Sequence, residues 1–295
     1  MRLPRLLLAA TCVAAFSQPM LAQAPAPLQS VEGPAATVSD MVAELTRSRA
    51  GLRTKVVNVD TTNSAFLFPS AGSVQGAGGT FFKSDGMIVN HRNAMQRVSM
   101  GFIAQGVNNG SRPLKYFDLN AVTPYTLKDI VGNPNLLHES GLGAVLVTGV
   151  LQSGNADSNA LLDGFSRIWT NQPNAQGTVS LAFPSIGVAD SFGNSYAYAL
   201  GLRHDTGFRT NVGVVNLDSQ AHTWTVTANG ETGLIQTFTV TVEAYSMRQV
   251  PITAGDYGIL LIALTPNVNG FFWSAYAASV DNITGDGWVS HAAQP

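Results

Sequence analysis

The chain has few charged residues and, beyond its first residues, no cysteine. Lys, Arg, Asp and Glu make up 12% of the 295 residues, about half of the typical share of about 25%. The 16 basic and 18 acidic residues give a formal net charge of −2, and no basic patch stands out. This composition excludes a nucleic-acid partner held by phosphate contacts.

The single cysteine and the apolar segments indicate a compartment. A positive start and the apolar residues 6–16 are followed by a small-residue cleavage pattern at 22–24, which predicts a signal peptide over residues 1–24. Cys12 lies within it, so disulfides and cysteine-based zinc sites are excluded in the mature chain. The apolar run is too short to span a membrane. We expect a bacterial protein that is secreted, periplasmic or at the cell surface, with no transmembrane segment after cleavage.

Residues 25–55 are predicted to form a leader and linker with one short helix. The stretch begins rich in Ala, Pro and Gln, as flexible leaders are. Thr37 and Asp40 have the spacing of a capping box, and Met41, Val42 and Leu45 share one helical face. The pattern predicts a helix over 38–50 that ends at Gly51.

From about residue 56 the sequence reads as strands. Residues 223–227 and 237–242 alternate between polar and apolar side chains, and Asn229-Gly230 between them is a strong hairpin signal. Long helical patterns are absent, which argues against Rossmann, TIM-barrel and α/β-hydrolase folds. The predicted fold class is therefore all-β, built of antiparallel sandwiches.

The chain also repeats itself. Residues 82–90 match residues 208–216 without a gap, and Phe-Pro-Ser precedes each copy. Gly-led apolar strands follow at Gly143 and Gly258. We infer a duplication into two separately compact domains, 56–184 and 185–295, with the boundary near Pro184. Phe82 and Phe208 are expected to be equivalent core anchors.

Three segments carry a resemblance to a known kind of module. Residues 200–203, 208–216 and 276–286 resemble the tandem immunoglobulin-like β-sandwich modules of secreted, uncharacterised bacterial proteins. The resemblance is good over 185–295 and weaker over 65–184, and it departs at Gly287-Trp288, where a proline-containing turn is more usual. It implies two tandem immunoglobulin-like domains and export, and supplies no catalytic residues.

The search for catalytic motifs gives no support for an enzyme. The five histidines lack the HExxH and HxH spacings of zinc sites. Ser195 stands in a segment that imitates a nucleophile elbow, but the residues after it read as a strand where the elbow needs a helix. No P-loop or dinucleotide motif is present. We therefore predict no catalytic residue and no cofactor, with calcium as the one candidate.

One loop has the oxygen-rich composition of an extracellular calcium site. It contains Asp281, Asn282, Thr284 and Asp286, and calcium takes six to eight oxygen ligands. The alternative is a turn whose Asx side chains bind their own backbone.

Aromatic residues near the C-terminus are candidates for a ligand platform. They are Phe271, Phe272, Trp273 and Trp288. The alternative is that these rings fill the core or cover a seam between the domains.

Three functional hypotheses follow. The preferred one is a non-catalytic exported protein that acts in surface structure or in association with an extracellular protein or glycan. The second is a carbohydrate- or calcium-dependent binding protein, which an exposed aromatic strip beside polar groups would favour. The third is an unrecognised hydrolase, which a pocket with a histidine beside a nucleophile would favour.

Overall fold

The computed structural model describes residues 27–48, 54–57, 60–76, 79–172, 176–191 and 196–293. The predicted all-β class is confirmed: within these residues there is one helix, α1 (Val38–Arg47), and every strand pair in a sheet is antiparallel. The strands are β1 (Ser30–Val31), β2 (Thr54–Val57), β3 (Asp60–Asn63), β4 (Ala65–Gln75), β5 (Phe81–Asn90), β6 (Gln96–Ala104), β7 (Lys115–Leu119), β8 (Thr123–Leu127), β9 (Gly141–Val150), β10 (Leu162–Asn171), β11 (Thr178–Pro184), β12 (Ile186–Gly187), β13 (Ala197–His204), β14 (Phe208–Asn216), β15 (His222–Gly230), β16 (Gly233–Val242), β17 (Ser246–Pro251), β18 (Gly258–Pro266), β19 (Trp273–Asp281) and β20 (Gly287–His291).

Helix α1 has the predicted capping box. The hydroxyl of Thr37 accepts from the Asp40 amide, and the Asp40 carboxylate accepts from the Thr37 amide at 2.9 Å. This exchange satisfies donors that a helix start leaves unpaired. The helix ends at Arg47, earlier than predicted, and buries Met41 and Leu45 on one face.

Two halves of the chain share one strand topology. We call β4–β11 the first half and β13–β20 the second half. In the first half the order β7-β6-β9-β4 forms a first sheet and β8-β5-β10-β11 a second sheet; the second half has the matching orders β16-β15-β18-β13 and β17-β14-β19-β20. In the first half, pairing of β4 with β5 also joins the two sheets. The pairing therefore supports the duplication inferred from the sequence.

The strand neighbours overlap only in part with those of an immunoglobulin sandwich. In each half the second strand pairs with the fifth and the third with the sixth, as in immunoglobulin domains. The first strand, however, lies beside the sixth, and the seventh beside the second. The tandem immunoglobulin-like classification stays a prediction.

A buried asparagine fixes the same corner in both halves. The Nδ2 of Asn90 lies 2.8–3.2 Å from the carbonyl oxygens of Ala94, Leu119 and Asn120. The Nδ2 of Asn216 lies 2.8–3.3 Å from those of Gln220, Val242 and Glu243. Each Oδ1 accepts from the backbone amide two residues later. Each asparagine side chain ties the end of its own strand, β5 or β14, to the end of β7 or β16. These contacts therefore align the two halves residue by residue.

Each half has its own hydrophobic core between its two sheets. Ile88 of β5 and Val145 of β9 lie in the first core, while Val214 of β14 and Ile262 of β18 lie in the second. Alternate residues of the same strands point the other way. The sheets are therefore packed as sandwiches.

A third hydrophobic cluster, which we call the seam, draws on both halves. From the first sheet of the first half it takes Leu67, Ile103 and Leu146, and from the second sheet of the second half it takes Val215 and Tyr276. The buried residues of α1 belong to it as well. The four sheets are therefore stacked, and the buried contact between the two halves lies in the middle of the stack. The prediction of two separately compact domains did not include this contact. The boundary near Pro184 stays a prediction.

Two local expectations were wrong. The hairpin between β15 and β16 exists, but Gly230 pairs with Gly233, so the turn follows Asn229-Gly230. Phe82 and Phe208 are only partly buried, because Phe82 is the second residue and Phe208 the first residue of its strand, at the end of the sandwich. The buried anchors six residues later in each copy are Ile88 and Val214.

Candidate functional site

A cleft of about 450 Å³ opens at one end of the second half. Its wall includes Arg203 of β13, Asp205 in the following turn, Ile259 of β18 and Trp288 of β20. Trp288 is 39% exposed. Among the aromatic residues predicted as a platform, it is the one at the surface, so the cleft is the candidate site.

Two contacts fix the ring of Trp288. Its Nε1 donates to the carbonyl oxygen of Gly201 at 2.8 Å, and its ring makes a T-shaped contact with Phe208, with ring centroids 5.6 Å apart. Gly201 has φ +69° within the bulge of β13, a conformation that glycine adopts without strain. The bulge therefore presents a carbonyl to the indole and holds the ring before any ligand binds.

Charged groups surround this ring pair. The guanidinium of Arg203 lies 4.5 Å from the centroid of Phe208 and donates to the carboxylate of Asp205. That bond, with help from the amides of Gly207 and Phe208, holds the pKa of Asp205 below its usual value. The site thus offers an aromatic surface beside the ion pair of Arg203 with Asp205.

A second carboxylate lines the same cleft. Glu231, in the turn between β15 and β16, accepts from the amide of Ile259 at 3.2 Å. One of its oxygens is engaged in this bond, which leaves lone pairs that can accept from a ligand hydroxyl.

The predicted calcium loop lies beside the same cleft. The amide of Asn282 donates to the carbonyl of Gly207, next to Asp205. Asp281 Oδ1 accepts from the amides of Ile283 and Thr284 at 2.7 and 2.8 Å, which lowers the pKa of Asp281. Its geometry is that of the Asx turn given as the alternative.

This loop fits a cation poorly in its present arrangement. The Oδ1 of Asn282 accepts from Arg209 Nη1 at 2.9 Å, so a guanidinium already occupies that oxygen. The hydroxyl of Thr284 accepts from the amide of Asp286 at 3.2 Å. Within the described residues no group of three or more His, Cys, Asp or Glu is arranged to hold a metal. Calcium binding stays a prediction, and it requires Arg209 to release Asn282.

The other three aromatic candidates are buried. Phe271 stacks on His222 at 4.1 Å, and Trp273 packs against Trp224 at 5.8 Å in the second core. Phe272 belongs to the seam. These rings therefore take the packing role that the sequence offered as the alternative.

A second cavity, of about 400 Å³, lies where the halves meet. Its lining includes Asp163, Ser185 and His291, residue types that a hydrolase would use. The hydroxyl of Ser185 donates to Asp163 at 3.2 Å, whereas His291 Nε2 is buried without a hydrogen-bond partner. Burial lowers the pKa of His291 to about 4. The histidine is a poor base here and does not polarise the serine.

The position of Ser195 lies outside the described residues. The strand predicted to follow it is confirmed as β13, from Ala197. A nucleophile elbow needs a helix there.

Sequence reasoning missed most of the cleft. Arg203, Asp205 and Phe208 lie together at the connection from β13 to β14, but Glu231, Ile259 and Trp288 come from distant segments, so no local spacing brings the whole cleft together. The one sequence signal for the cleft was the departure from the resemblance at Gly287-Trp288, where a tryptophan lies near the start of the strand that follows a turn.

Comparison with known proteins adds no relative. No protein-family model matches the chain, and no curated protein matches it significantly.

Proposed function

We propose that this chain is a non-catalytic exported β-sandwich protein that acts by association, with the Trp288 cleft as its binding site. The observation that carries the proposal is the partly exposed indole of Trp288, held by Gly201 and Phe208 in a cleft that Arg203 and Glu231 also line. A ring fixed before binding contributes contact area at little entropic cost.

The ligand class we favour is a glycan. The apolar face of an aromatic ring can pack on the C–H face of a sugar, while carboxylates and a guanidinium exchange hydrogen bonds with its hydroxyls. A protein surface with an exposed loop rich in hydroxyl and amide groups is the second candidate, favoured by the exposed Ile259 beside the ring.

The argument against catalysis is geometric. General acid–base chemistry needs a base within hydrogen-bond reach of the proton that it takes. In the cavity between the halves Ser185 donates to Asp163 instead of to His291. In the Trp288 cleft Asp205 is bound to Arg203. Neither arrangement supports an activated nucleophile.

The proposed location is outside the cytoplasm of a bacterium, as the predicted signal peptide implies. Within the described part of the chain no helix is long and apolar enough to cross a membrane. A binding function at the cell surface or in the periplasm agrees with a small net charge of −2.

The test is binding of the mature protein to glycan arrays and to insoluble cell-wall polysaccharides, with and without a chelator. Trp288→Ala should weaken binding at least about tenfold, as loss of a central aromatic does at other interfaces. The matched control is Phe165→Ala, since Phe165 is 45% exposed on the first half and should leave binding unchanged.

Two results would overturn the proposal. The first is equal binding by the wild type and Trp288→Ala when both melt normally, which would remove the cleft from the function. The second is turnover of an ester, glycoside or peptide that disappears in His291→Ala or Ser185→Ala. Loss of binding on chelation would instead assign the Asp281–Asp286 loop a calcium ion.

A further inference from the structure

The strand β16 is an open edge with unusual composition. It is the outermost strand in the order β13-β18-β15-β16, and among the described residues only β15 pairs with it. Its ten residues include no charged side chain and no proline. Natural sheets protect such edges with charges, prolines, bulges or covering segments, because the free N–H and C=O groups attract another strand.

The equivalent edge of the first half is protected in two ways. Strand β7 has five residues and includes Lys115 and Asp118. It is also covered by β1, since Ser30 and Val31 pair with Phe117 and Tyr116. The buried asparagines show the equivalence, because Asn90 and Asn216 bind the carbonyls of Leu119 and Val242 at the ends of the two strands.

The segment that leads into the second half cannot provide the same cover. Ile186 and Gly187 form β12, which pairs with β4 of the first half. The chain then enters β13, at the far side of the sheet from β16. Among the described residues no segment covers the free edge of β16, which leaves it open to a strand from another molecule.

We propose that β16 pairs antiparallel with β16 of a second copy of this chain, joining two four-stranded sheets into one of eight strands. A two-fold antiparallel pairing sets each residue opposite another residue of the same strand sequence, so a strand carrying charges of one sign would oppose its own charges. The neutral β16 does not. The sheet already forms a cross-strand threonine pair, with the hydroxyls of Thr223 and Thr241 2.9 Å apart.

The burial pattern restricts the register. Opposite residues in an antiparallel pair lie on the same face, and Thr237, Thr239 and Thr241 are exposed while Val240 and Val242 are buried. An exposed threonine must therefore lie opposite an exposed residue of the copy. This condition is met only when one residue of β16 lies opposite its own copy, with the two-fold axis midway between the two.

Charge at the strand ends disfavours a centre at Thr237, and we place the centre at the neighbouring residue Phe238. Centring on Thr237 would place Glu231 opposite Glu243 of the copy. Centring on Phe238 keeps these carboxylates apart and sets Phe238 beside its own copy, with Thr237 opposite the partner's Thr239.

The first test is the mass of the full-length processed protein by light scattering from about 1 to 200 µM, a span chosen to cover typical micromolar association. We expect a dimer whose population falls at least tenfold in Thr239→Lys, because the two ammonium groups then lie diagonally across the two-fold axis, each beside Thr237 of the other strand. Thr225→Lys is the matched control: Thr225 pairs with Thr239 from the inner strand β15 and is exposed on the same face.

The outcomes distinguish association through the edge of the sheet from association through its face. Loss of the dimer in Thr239→Lys alone supports pairing at the edge. Loss in both variants points to the sheet face and overturns the proposal, as does a monomer at all concentrations or a dimer that neither variant weakens. Circular dichroism confirms that each variant is folded, and Thr237→Lys repeats the test at a second exposed edge position.

Cross-linking tests the same contact without adding charge. In a Cys12→Ser background, Thr239→Cys supplies the only thiol. Strand spacing places it within about 10 Å of its copy, whereas Thr225→Cys is separated from its copy by about 14 Å across three strand intervals. A short bis-maleimide should link the first variant far more efficiently; equal yields would contradict the pairing.

Discussion

The two halves differ most clearly at one equivalent pair of residues. In the first half Arg97 and Asp118 face each other on β6 and β7 and form two hydrogen bonds of 2.8 and 2.9 Å. In the second half the same positions hold Thr223 and Thr241, which share one bond of 2.9 Å. The same pair of backbone positions can therefore be joined by an ion pair or by two hydroxyls. The strand pairing does not dictate which side chains occupy this face of the sheet.

The same contrast extends to the candidate site. Trp288 lies opposite Ser279, and the equivalent residue of the first half, opposite Ile168, is Leu181. Leu181 packs against the seam, whereas Trp288 is partly exposed. The same strand framework thus carries a leucine packed on the seam in one half and a partly exposed tryptophan in the other.

Because of the seam, the two halves differ in which sheet face is exposed. The seam covers the outer face of the first sheet in the first half and of the second sheet in the second half. The remaining outer faces are the two ends of the stack. One holds the ion pairs of Lys83 with Asp129 and of Arg167 with Asp85, and the other holds the uncharged threonines of β15 and β16.

The largest effect should come from the seam. Tyr276 is fully buried there, packs edge-on against Phe183 at 5.3 Å and donates to Gln249 at 2.7 Å. We expect Tyr276→Ala to lower the free energy of unfolding by about 3–5 kcal/mol, measured by urea denaturation. Tyr196→Ala is the control, because Tyr196 is 44% exposed; a similar loss in both variants would mean that the seam contributes little.

The buried asparagines should give the next largest effect, and the same one in both halves. Asn90→Ala and Asn216→Ala each leave buried carbonyls without a donor, so each should cost roughly 2–4 kcal/mol. Denaturant melts of the two variants measure this. Losses that differ by more than about 1.5 kcal/mol would show that the corners are not energetically equivalent, whatever their geometry.

The Arg97–Asp118 pair and its threonine counterpart should differ modestly. Arg97→Ala should cost about 1–2 kcal/mol at low salt and less in 1 M salt, since screening weakens the ion pair. Thr223→Ala should cost about 0.5 kcal/mol at either salt concentration. A salt-independent loss for Arg97→Ala would contradict the assigned role of charge.

The last effect is a modest pH dependence specific to the second half. His291 lies opposite Tyr276, where the first half has Pro184 opposite Phe165. Burial lowers the folded pKa of His291 to about 4, below the unfolded value of about 6.5. The unfolded state then binds more protons between these values, so stability falls as the pH decreases through that window.

The measurement is the free energy of unfolding of wild type and His291→Gln at pH 6.5 and 5.5. The wild type should lose up to about 1 kcal/mol more than the variant over this step. A wild type that becomes more stable than the variant on acidification would reverse the assigned sign.

The parts of the fold that local sequence patterns specify could be predicted. The capping box of Thr37, the alternation of β15 and β16 and the matched strands β5 and β14 all depend on neighbours along the chain. The hairpin turn was displaced because the ladder continues to Gly230 and Gly233. The sequence comparison matched Gly143 with Gly258. The strand pairing instead places Gly141 opposite Ser73 and Gly258 opposite His204, so Gly141 is the residue that corresponds to Gly258.

What could not be predicted depends on contacts between distant segments. The seam combines α1 with strands of both halves, and alternation alone does not say whether an outward face is exposed or covered. Phe82 and Phe208 were expected in the core because aromatic residues in a repeated strand usually pack. Their positions at the strand starts place them at the end of the sandwich instead, and Phe208 supports Trp288 there.

The most direct test of the account is calorimetric unfolding of the mature protein. If the seam joins the halves into one cooperative unit, a single transition should appear, with equal calorimetric and van't Hoff enthalpies. Tyr276→Ala should lower its midpoint or split it into two. Two well-separated transitions in the wild type, neither shifted by Tyr276→Ala, would show that the halves unfold independently and would contradict the central place of the seam.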